Sequence, residues 1–485
     1  MESRFHSLTI LLSLLNLLIL SRAHKIGDAG VIKVNYRFAG AEPTLSALRA
    51  HDDFRHLGVF AGVDLPLGGI GRPDAVGLYY AKIGIGTPSK DYYMQVDTGS
   101  DITWVNCMQC HQCSRRGYRG IELTIYNPRE SQTGRIVSCN QDFCKEIGGG
   151  LRGCAANTSC LYTEVYGDGS YSMGYFVEDI VQYDRVSGDL QTKSANGSVI
   201  FGCGAGQSGD LRQSDDALDG ILGFGKSNSS ILSQLASAGR VKKMFAHCLD
   251  GVNGGGIFAI GHVVQPLVNT TPLVPGQAHY NVNMTAVQVG HAFLNLTRDV
   301  YTIVNNKGVI IDSGTTLAYL PAAIYYPLVK QILSWQMDLK LKTLEDKYTC
   351  FDYSGSVDDG FPPVTLHFKN SLTLKVYPHE YLFPFEGLMC IGWQNSGIET
   401  QDKKNITILG DLVLSNKLIL YDLEKEVIGW TEYNCSSSIV LKDEITGSVH
   451  LVGAHSLSHG SRFNVRAIFL LLIALLHGLM MPPIL

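Results

Sequence analysis

The chain has 485 residues, of which 17% are charged, and its 39 basic and 44 acidic residues leave a net charge of −5. This length exceeds one ordinary hydrophobic core, which predicts two domains or lobes. The charge argues against nucleic-acid binding, because a polyanion requires a basic surface. The low charged fraction argues against disorder, and 52 glycines among short apolar runs indicate many short strands. The sequence predicts an all-β protein with a few short helices.

Residues 1–23 have the pattern of a secretory signal peptide. Arg4 precedes an apolar run at 8–20, and Ser21, Arg22 and Ala23 resemble a cleavage site with small residues at its ends. A retained signal anchor is the alternative, but the run is short for a membrane span of about 20 residues. We therefore expect cleavage and entry into the secretory pathway.

The C-terminal end has an apolar tail at 467–485, preceded by a polar spacer at 436–466. A polar spacer of about 8–12 residues before such a tail is typical of a glycosylphosphatidylinositol (GPI) attachment signal. A transmembrane helix is the alternative, but His477 and the prolines near the end disfavour it. We expect a lipid anchor in the outer leaflet of the plasma membrane, attached at Ser456.

Twelve cysteines and fifteen histidines bear on metal and redox chemistry. The spacing of Cys107, Cys110 and Cys113 would suggest zinc or redox chemistry in a cytosolic protein. In the secretory pathway the same spacing indicates disulfides, and no histidine spacing matches a metal site. The sequence therefore predicts neither a metal nor a cofactor. Eight glycosylation sequons agree with secretion: Asn157, Asn196, Asn228, Asn269, Asn283, Asn295, Asn405 and Asn434.

Between the two ends, the residue pattern of the chain changes near residue 75. Residues 24–75 contain basic, helix-compatible pieces and a Gly/Pro-rich stretch, which indicate a propeptide and linker. From 76 to 435 short apolar runs alternate with turns, which predicts strands. The best helix candidates are residues 231–238 and 322–335.

A weak internal repeat lies within this strand-rich region. The tetrapeptide that begins at Asp97 (DTGS) recurs 215 positions later at Asp312 (DSGT). Each copy follows an apolar strand, and each is followed far downstream by Ile-Leu-Gly, at 221–223 and 408–410. The repeat predicts two homologous lobes, 76–268 and 269–435.

The repeated aspartates point to general acid–base chemistry. One Asp-Thr-Gly turn is more often only a turn, because glycine permits a tight bend; two copies in matching contexts are difficult to obtain by accident. Two carboxylates about 3 Å apart cannot both ionise, so they share one proton. The ionised member can then take a proton from water while the protonated member donates to a carbonyl oxygen.

On these motifs the chain resembles the pepsin-type aspartic proteases over residues 79–435, and in particular their plant nepenthesin-like, GPI-anchored branch. The resemblance implies a bilobal fold with the active-site cleft between the lobes, a monomer, polypeptide substrates, an acidic pH optimum and an inhibitory propeptide. It implies that Asp97 and Asp312 are catalytic and that Cys350 pairs with Cys390. The resemblance also implies supporting roles for six residues. Ser100 and Thr315 would hydrogen-bond the aspartates, and Thr98 and Ser313 would join the two loops. Trp104 would lie behind the site, and Tyr166 would lie in a flap over the substrate.

Two other classes of function remain open on the sequence. Some plant relatives of this fold have lost catalysis and bind or inhibit other enzymes, but they lose or distort the motifs that are intact here. A purely structural cell-surface glycoprotein is the third possibility. The flap also departs from many relatives, which have a neutral residue at the position of Asp168.

Overall fold

The computed structural model describes residues 62–457, except 76, 111, 119–120, 149–153, 155–157, 214–216, 346–347, 398–405 and 445. All described residues belong to one compact unit, 57–485. The predicted signal peptide, most of the predicted propeptide and the apolar tail lie outside the described residues. Within the described part of the chain, no helix is both long and apolar enough for a membrane span.

Strands dominate the described residues, as the sequence predicted. The strands of the first half are β1 (Val63–Asp64), β2 (Leu67–Ile70), β3 (Leu78–Ile85), β4 (Lys90–Asp97), β5 (Trp104–Asn106), β6 (Arg135–Ile136), β7 (Leu161–Val165), β8 (Tyr171–Gly188), β9 (Gln191–Gln207), β10 (Gly220–Gly223), β11 (Met244–Leu249), β12 (Gly256–Ile260) and β13 (His262–Gln265). Those of the second half are β14 (Thr270–Pro272), β15 (Asn281–Val282), β16 (Met284–Val289), β17 (Ala292–Phe293), β18 (Val309–Ile311), β19 (Ala318–Leu320), β20 (Leu341–Leu344), β21 (Tyr348–Phe351), β22 (Val364–Phe368), β23 (Thr373–Val376), β24 (Leu382–Phe385), β25 (Leu388–Ile391), β26 (Trp393–Asn395), β27 (Thr407–Leu409), β28 (Lys417–Asp422), β29 (Val427–Glu432), β30 (Ser438–Lys442) and β31 (Val449–Gly453).

The helices of the described residues are short, and two of them match the predicted candidates. They are α1 (Asp142–Glu146), α2 (Asp210–Gln213), α3 (Ile231–Ser237), α4 (Arg298–Lys307), α5 (Ala322–Leu333), α6 (Val357–Gly360) and α7 (Asp411–Leu414), with 3₁₀ turns at Lys369–Ser371 and Pro378–Glu380. The predictions for 231–238 and 322–335 are confirmed by α3 and α5. In α3 the Ser230 side chain accepts a hydrogen bond from the Ser233 amide, which caps the helix start.

A fifteen-stranded sheet joins the two halves of the chain. The halves meet where β11 pairs antiparallel with β28, with Ala246 opposite Leu420. Both strands are almost wholly buried, because aromatic and aliphatic side chains cover both faces of the sheet at this junction. The first repeated motif follows β4 of this sheet, whereas the second follows β18 of a separate five-stranded sheet.

The first described strands correct one boundary of the sequence analysis. Residues 62–70, which we assigned to the propeptide and linker, form β1 and β2. Val63 pairs with Ile260 on one side and Arg185 on the other, so β1 lies inside the large sheet. The glycine and proline residues of this stretch led us to predict a linker instead of strands. In the structure Val63, Leu65 and Leu67 are almost completely buried.

The last described strands correct a second boundary. Part of the predicted polar spacer forms β30 and β31, which extend a three-stranded sheet from β13. Their inward-facing side chains, Ile439, Leu441 and Val452, are buried in a separate apolar cluster. Alternate apolar residues in a half-buried hairpin give low average hydrophobicity, which is why the segment resembled a spacer. We call residues 436–457 the C-terminal strap.

Six disulfides link the described cysteines, and the predicted Cys350–Cys390 pair is confirmed. The others are Cys107–Cys203, Cys110–Cys113, Cys139–Cys154, Cys144–Cys160 and Cys248–Cys435. Four of these bonds begin in the cysteine-rich stretch 107–160, as expected for a disulfide-stapled insertion. The Cys248–Cys435 bond joins β11 to the chain immediately before the strap.

Candidate active site

Each repeated motif lies at the end of a strand that pairs in parallel with a downstream Ile-Leu-Gly segment. In the first half β4 runs beside β10, which places Asp97 opposite Gly223. In the second half β18 runs beside β27, and the Asp312 amide donates to Leu409 O at 3.0 Å. The two halves thus build the same loop from the same sequence pattern, as the repeat predicted.

The two aspartates are held by matching hydrogen bonds. Asp97 accepts from the Gly99 amide at 2.7 Å and from the Ser100 hydroxyl at 2.5 Å. Asp312 accepts from its own loop in the same way, from the Gly314 amide at 2.8 Å and the Thr315 hydroxyl at 2.6 Å. Ser100 and Thr315 therefore occupy the positions that the resemblance implied, and each carboxylate has one fixed orientation.

The two loops are also joined to each other. The Thr98 hydroxyl accepts from the Ser313 amide at 2.9 Å and donates to Ile311 O at 3.3 Å. In return the Ser313 hydroxyl donates to Val96 O at 3.3 Å. All of these groups are buried, so the loops cannot separate without losing hydrogen bonds that water would not replace.

The motif glycines show how closely the two carboxyl groups approach. A Cβ on Gly99 would lie 2.6 Å from the carboxyl carbon of Asp312, and one on Gly314 would lie 2.5 Å from that of Asp97. Each glycine therefore packs against the carboxylate of the opposite loop, and any side chain there would displace it. The structure brings Asp97 and Asp312 together as one pair.

The electrostatics of the pair follow from burial and mutual repulsion. Asp97 is only 4% exposed and Asp312 only 9%. Burial raises the pKa of Asp97 to about 7, and the neighbouring Asp312 carboxylate adds to this rise. The pair therefore retains a shared proton from acidic to near-neutral pH and can act as base and acid together.

The predicted flap is a hairpin between β7 and β8. The Tyr166 amide donates to Ser170 O at 2.9 Å, and Gly169 has a φ of +87° at the tip. The Trp104 indole nitrogen donates to the Tyr166 hydroxyl at 2.6 Å. Burial raises the pKa of Tyr166, and the charge of Asp97 adds to this rise. Asp168 caps the turn by accepting from the Ser170 amide.

Asp411 is a buried acid near the pair that our sequence analysis missed. It begins α7, directly after the second Ile-Leu-Gly segment, and is 1% exposed. Neither carboxyl oxygen has a hydrogen-bond partner among the described residues. Burial raises the pKa of Asp411 well above its usual range, and Asp312 and Asp97 add to the rise. The acidic residue after Ile-Leu-Gly was visible in the sequence, but its burial was not.

The remaining predicted sites are modification positions. The side chains of Asn196, Asn228, Asn269, Asn295 and Asn434 are exposed. Asn283 is only half-exposed and its Oδ1 is buried, whereas Asn157 and Asn405 lie outside the described residues. Ser456 is exposed near the end of the strap. Across the described residues, no cluster of three or more His, Cys, Asp or Glu side chains is arranged to hold a metal ion.

Comparisons with known proteins agree with the repeated architecture. Residues 79–262 match the family model "Xylanase inhibitor N-terminal", and residues 279–432 match "Xylanase inhibitor C-terminal". Aspartic proteinase 36 of Arabidopsis thaliana is 49% identical over 428 residues, which cover 88% of each chain. Aspartic proteinase 39 of the same plant is 48% identical over 433 residues, covering 89% of this chain and 90% of the relative.

Solved structures with the same fold are more distant in sequence. Conglutin gamma, a basic 7S globulin from lupine seeds, matches with a TM-score of 0.61 at 19% identity, over 77% of this chain and 95% of its own. Basic 7S globulin from soybean matches with a TM-score of 0.58 at 18% identity, over 77% and 96%. At this identity the likeness concerns the fold alone.

Proposed function

The chain belongs to the pepsin-like aspartic proteinase family, and on that premise we propose that it is an aspartic endopeptidase in which Asp97 and Asp312 activate a water molecule. The observation that supports this most strongly is the buried carboxylate pair, held by matching hydrogen bonds from Ser100 and Thr315. The catalytic elements that an inactive relative would lose are intact in both loops.

The proposed reaction needs only the two carboxyl groups and water. The ionised member takes a proton from water, whose oxygen attacks the peptide carbonyl carbon, while the protonated member donates its proton to the carbonyl oxygen. This gives a gem-diol intermediate. When it collapses, one hydroxyl proton returns to the carboxylate pair, the other carboxyl protonates the amide nitrogen, and the C–N bond breaks. The pair then again holds one proton.

The substrate would bind in the cleft under the flap. We propose that an extended polypeptide lies between the carboxylate pair and Tyr166, whose hydroxyl is fixed by Trp104. Few charged residues flank the motifs, so bulky apolar side chains should be favoured beside the cleaved bond. The raised pKa of Asp97 supports activity from acidic to near-neutral pH.

Variants of the two aspartates test this function. The ectodomain should hydrolyse an acid-denatured protein in a pepstatin-sensitive manner, and Asp97→Asn and Asp312→Asn should each abolish hydrolysis without unfolding the protein. Asp210→Asn, which changes an exposed acid in α2, is the matched control and should remain active. Hydrolysis by the Asp97→Asn variant, or none by the wild type at any pH, would refute the proposal.

A catalytically inactive binding protein is the second candidate function. It is favoured by the family models, which are described as xylanase inhibitors. This alternative predicts no hydrolysis by the wild type but reduced activity of a xylanase mixed with the ectodomain. The same assay on the Asp97→Asn variant separates the two functions, because inhibition by a binding surface does not need the carboxylate pair.

We also propose that the protein is a secreted glycoprotein of the nepenthesin-like branch, monomeric, made as a zymogen and held at the plasma membrane by a GPI anchor. The support lies in the sequence: the N-terminal signal pattern, the sequons, the segment 24–75 that precedes the first lobe, and the apolar tail. Phosphatidylinositol-specific phospholipase should release the protein from membranes. Resistance of the full-length protein to this enzyme would favour a transmembrane tail instead.

A further inference from the structure

The flap hairpin has an outer face that is open to solvent and an inner face that is covered. On β7 the side chains of Leu161, Thr163 and Val165 are exposed. Successive side chains of a strand point to opposite faces, so Tyr162 and Glu164 belong to the other face. Tyr162 is only 6% exposed, and Glu164 is half-buried. Glu164 therefore lies on the inner face of the flap.

The inner face packs against the part of the large sheet that leads to the first catalytic loop. A Cβ on Gly202 would lie 2.6 Å from the Tyr162 ring and 2.9 Å from the Trp104 Cβ, so these two side chains lie against the same backbone. Further along the face, the Trp104 indole nitrogen donates to the Tyr166 hydroxyl at 2.6 Å. Trp104 is on β5, which pairs with β10, and β10 pairs with β4, the strand of the first catalytic aspartate. Glu164 thus lies between the two tyrosines of this face.

The Glu164 carboxyl has no hydrogen-bond or ion-pair partner among the described residues. The residue opposite it on β8 is Ser172, whose hydroxyl is hydrogen-bonded to the Tyr162 hydroxyl at 3.0 Å. A half-buried carboxylate without a partner is costly, and an uncharged side chain would fit this place at less cost. The carboxyl is therefore available to a group that enters beneath the flap.

We propose that Glu164 is a specificity-determining residue that binds a lysine or arginine side chain of the substrate beneath the flap. Under the proposed function the substrate lies there, so this role rests on that function and names one feature of the substrate. An ammonium or guanidinium group supplies the N–H donors that the carboxyl lacks and neutralises its charge. The aliphatic part of either side chain can pack against the tyrosines of the inner face. The apolar preference beside the cleaved bond concerns other side chains of the same peptide.

This preference should depend on pH, because the Glu164 carboxyl must be ionised to attract a cation. Burial raises the pKa of Glu164 to about 7, and the charge of Asp101 adds to this rise. Asp101 follows the first motif and accepts from the Ser227 amide at 2.9 Å. The other titratable groups beside Glu164 are Tyr162 and Tyr166, whose pKa values burial raises further, so both stay neutral. Below pH 7 the ionised fraction of Glu164 falls about tenfold per pH unit, and the preference should weaken with it.

Paired peptides measure the preference of the ectodomain. Each pair is identical except for lysine or norleucine at one position, and the position is moved along the peptide on each side of the cleaved bond. At one position the wild type should show a kcat/KM about tenfold higher for the lysine peptide at pH 7. This ratio should fall as the pH is lowered to 5. The ratio cancels the ionisation of the catalytic pair, because that ionisation affects both peptides alike.

Three variants test whether Glu164 is the source of the preference. Glu164→Gln retains the shape of the side chain but not its charge, and it should remove the preference at every pH. Glu164→Lys should reverse it, so that glutamate at the same peptide position is cleaved faster than lysine. The matched control is Glu178→Gln, further along β8, where the carboxyl accepts from the Ser198 hydroxyl at 2.7 Å. This control should retain the wild-type ratio.

The outcomes separate the role of Glu164 from the protease activity itself. A folded Glu164→Gln variant that retains the lysine preference, an equal loss in Glu178→Gln, or a wild-type preference that falls as the pH rises would each overturn this role while the protease assignment stands. A wild type that cleaves without preferring lysine at any position would do the same. A wild type that hydrolyses neither the peptides nor a denatured protein would overturn both. Thermal unfolding, monitored by tryptophan fluorescence, shows whether each variant is folded; if Glu164→Lys does not fold, Glu164→Gln decides alone.

Discussion

Replacing Asp411 with asparagine should change how the stability of the protein depends on pH. Asp411 is buried with neither oxygen hydrogen-bonded to the described residues, and this burial raises its pKa well above the usual range of an aspartate. The folded protein therefore keeps this carboxyl protonated at pH values where the unfolded chain releases the proton. Asparagine has nearly the same shape but never ionises, so the substitution removes only the linkage to pH.

The magnitude follows from the proton count. Between about pH 4 and the raised folded pKa, the unfolded chain binds one proton fewer at residue 411 than the folded chain. The free energy of unfolding of the wild type then falls by about 1.4 kcal/mol per pH unit relative to Asp411→Asn. The variant should therefore gain stability over the wild type as the pH rises above about 4.5, whatever constant offset the amide introduces.

Urea unfolding followed by tryptophan fluorescence at several pH values measures this difference. The exposed Asp210→Asn change in α2 controls for the loss of one acidic side chain and should leave the wild-type slope unaltered. If the free energies of unfolding of the wild type and Asp411→Asn change in parallel between pH 4.5 and 6.5, the reasoning is refuted. Parallel curves would mean that the buried carboxyl ionises as it does in water.

Three further predictions concern the carboxylate pair and the strap. Because the pKa of Asp97 is raised to about 7, kcat/KM should be maintained below that pH and fall above it as the shared proton is lost; a fall centred near pH 5 would contradict this. Gly314→Ala should abolish hydrolysis, measured on a denatured protein, because its Cβ would displace Asp97; appreciable activity would mean that the pair tolerates separation. The Asp64 carboxylate raises the pKa of His455, so their bond stabilises the fold below the unfolded histidine pKa and fades as pH rises through the folded one. His455→Gln should therefore cost about 1 kcal/mol of unfolding free energy at pH 5.5 and little at pH 8. The comparison variant His379→Gln, which changes the exposed pair with Asp358, should not show this difference. A loss of stability in His455→Gln that does not depend on pH would contradict the linkage.

The catalytic loops could be predicted from the sequence because their chemistry is local and repeated. A strand, an aspartate, a hydroxyl residue and a glycine lie within a few positions, and the second copy at Asp312 supports the first at Asp97. Tyr166 and Trp104 could be placed from their motifs, but not the hydrogen bond between them. That bond joins residues 62 positions apart and depends on how the flap closes.

The features that the sequence did not reveal depend on burial in three dimensions. Asp411 is a polar residue within an apolar run, and its raised pKa follows from a burial that the sequence does not show. Strands β1, β30 and β31 were missed because their patterns are short and interrupted by polar or glycine residues. Each is stabilised by a neighbour far away in sequence, such as Ile260 for Val63.

The C-terminal strap brings distant parts of the polypeptide side by side. His455 contacts Asp64 at 2.9 Å, and the Leu457 amide donates to Leu67 O at 2.8 Å, although nearly four hundred positions separate them. A short peptide linker between these neighbours would close the backbone into a ring. Such proximity favours circular permutation, with new termini opened at an exposed turn elsewhere. A permuted protein would then begin and end at a surface position chosen by the experimenter.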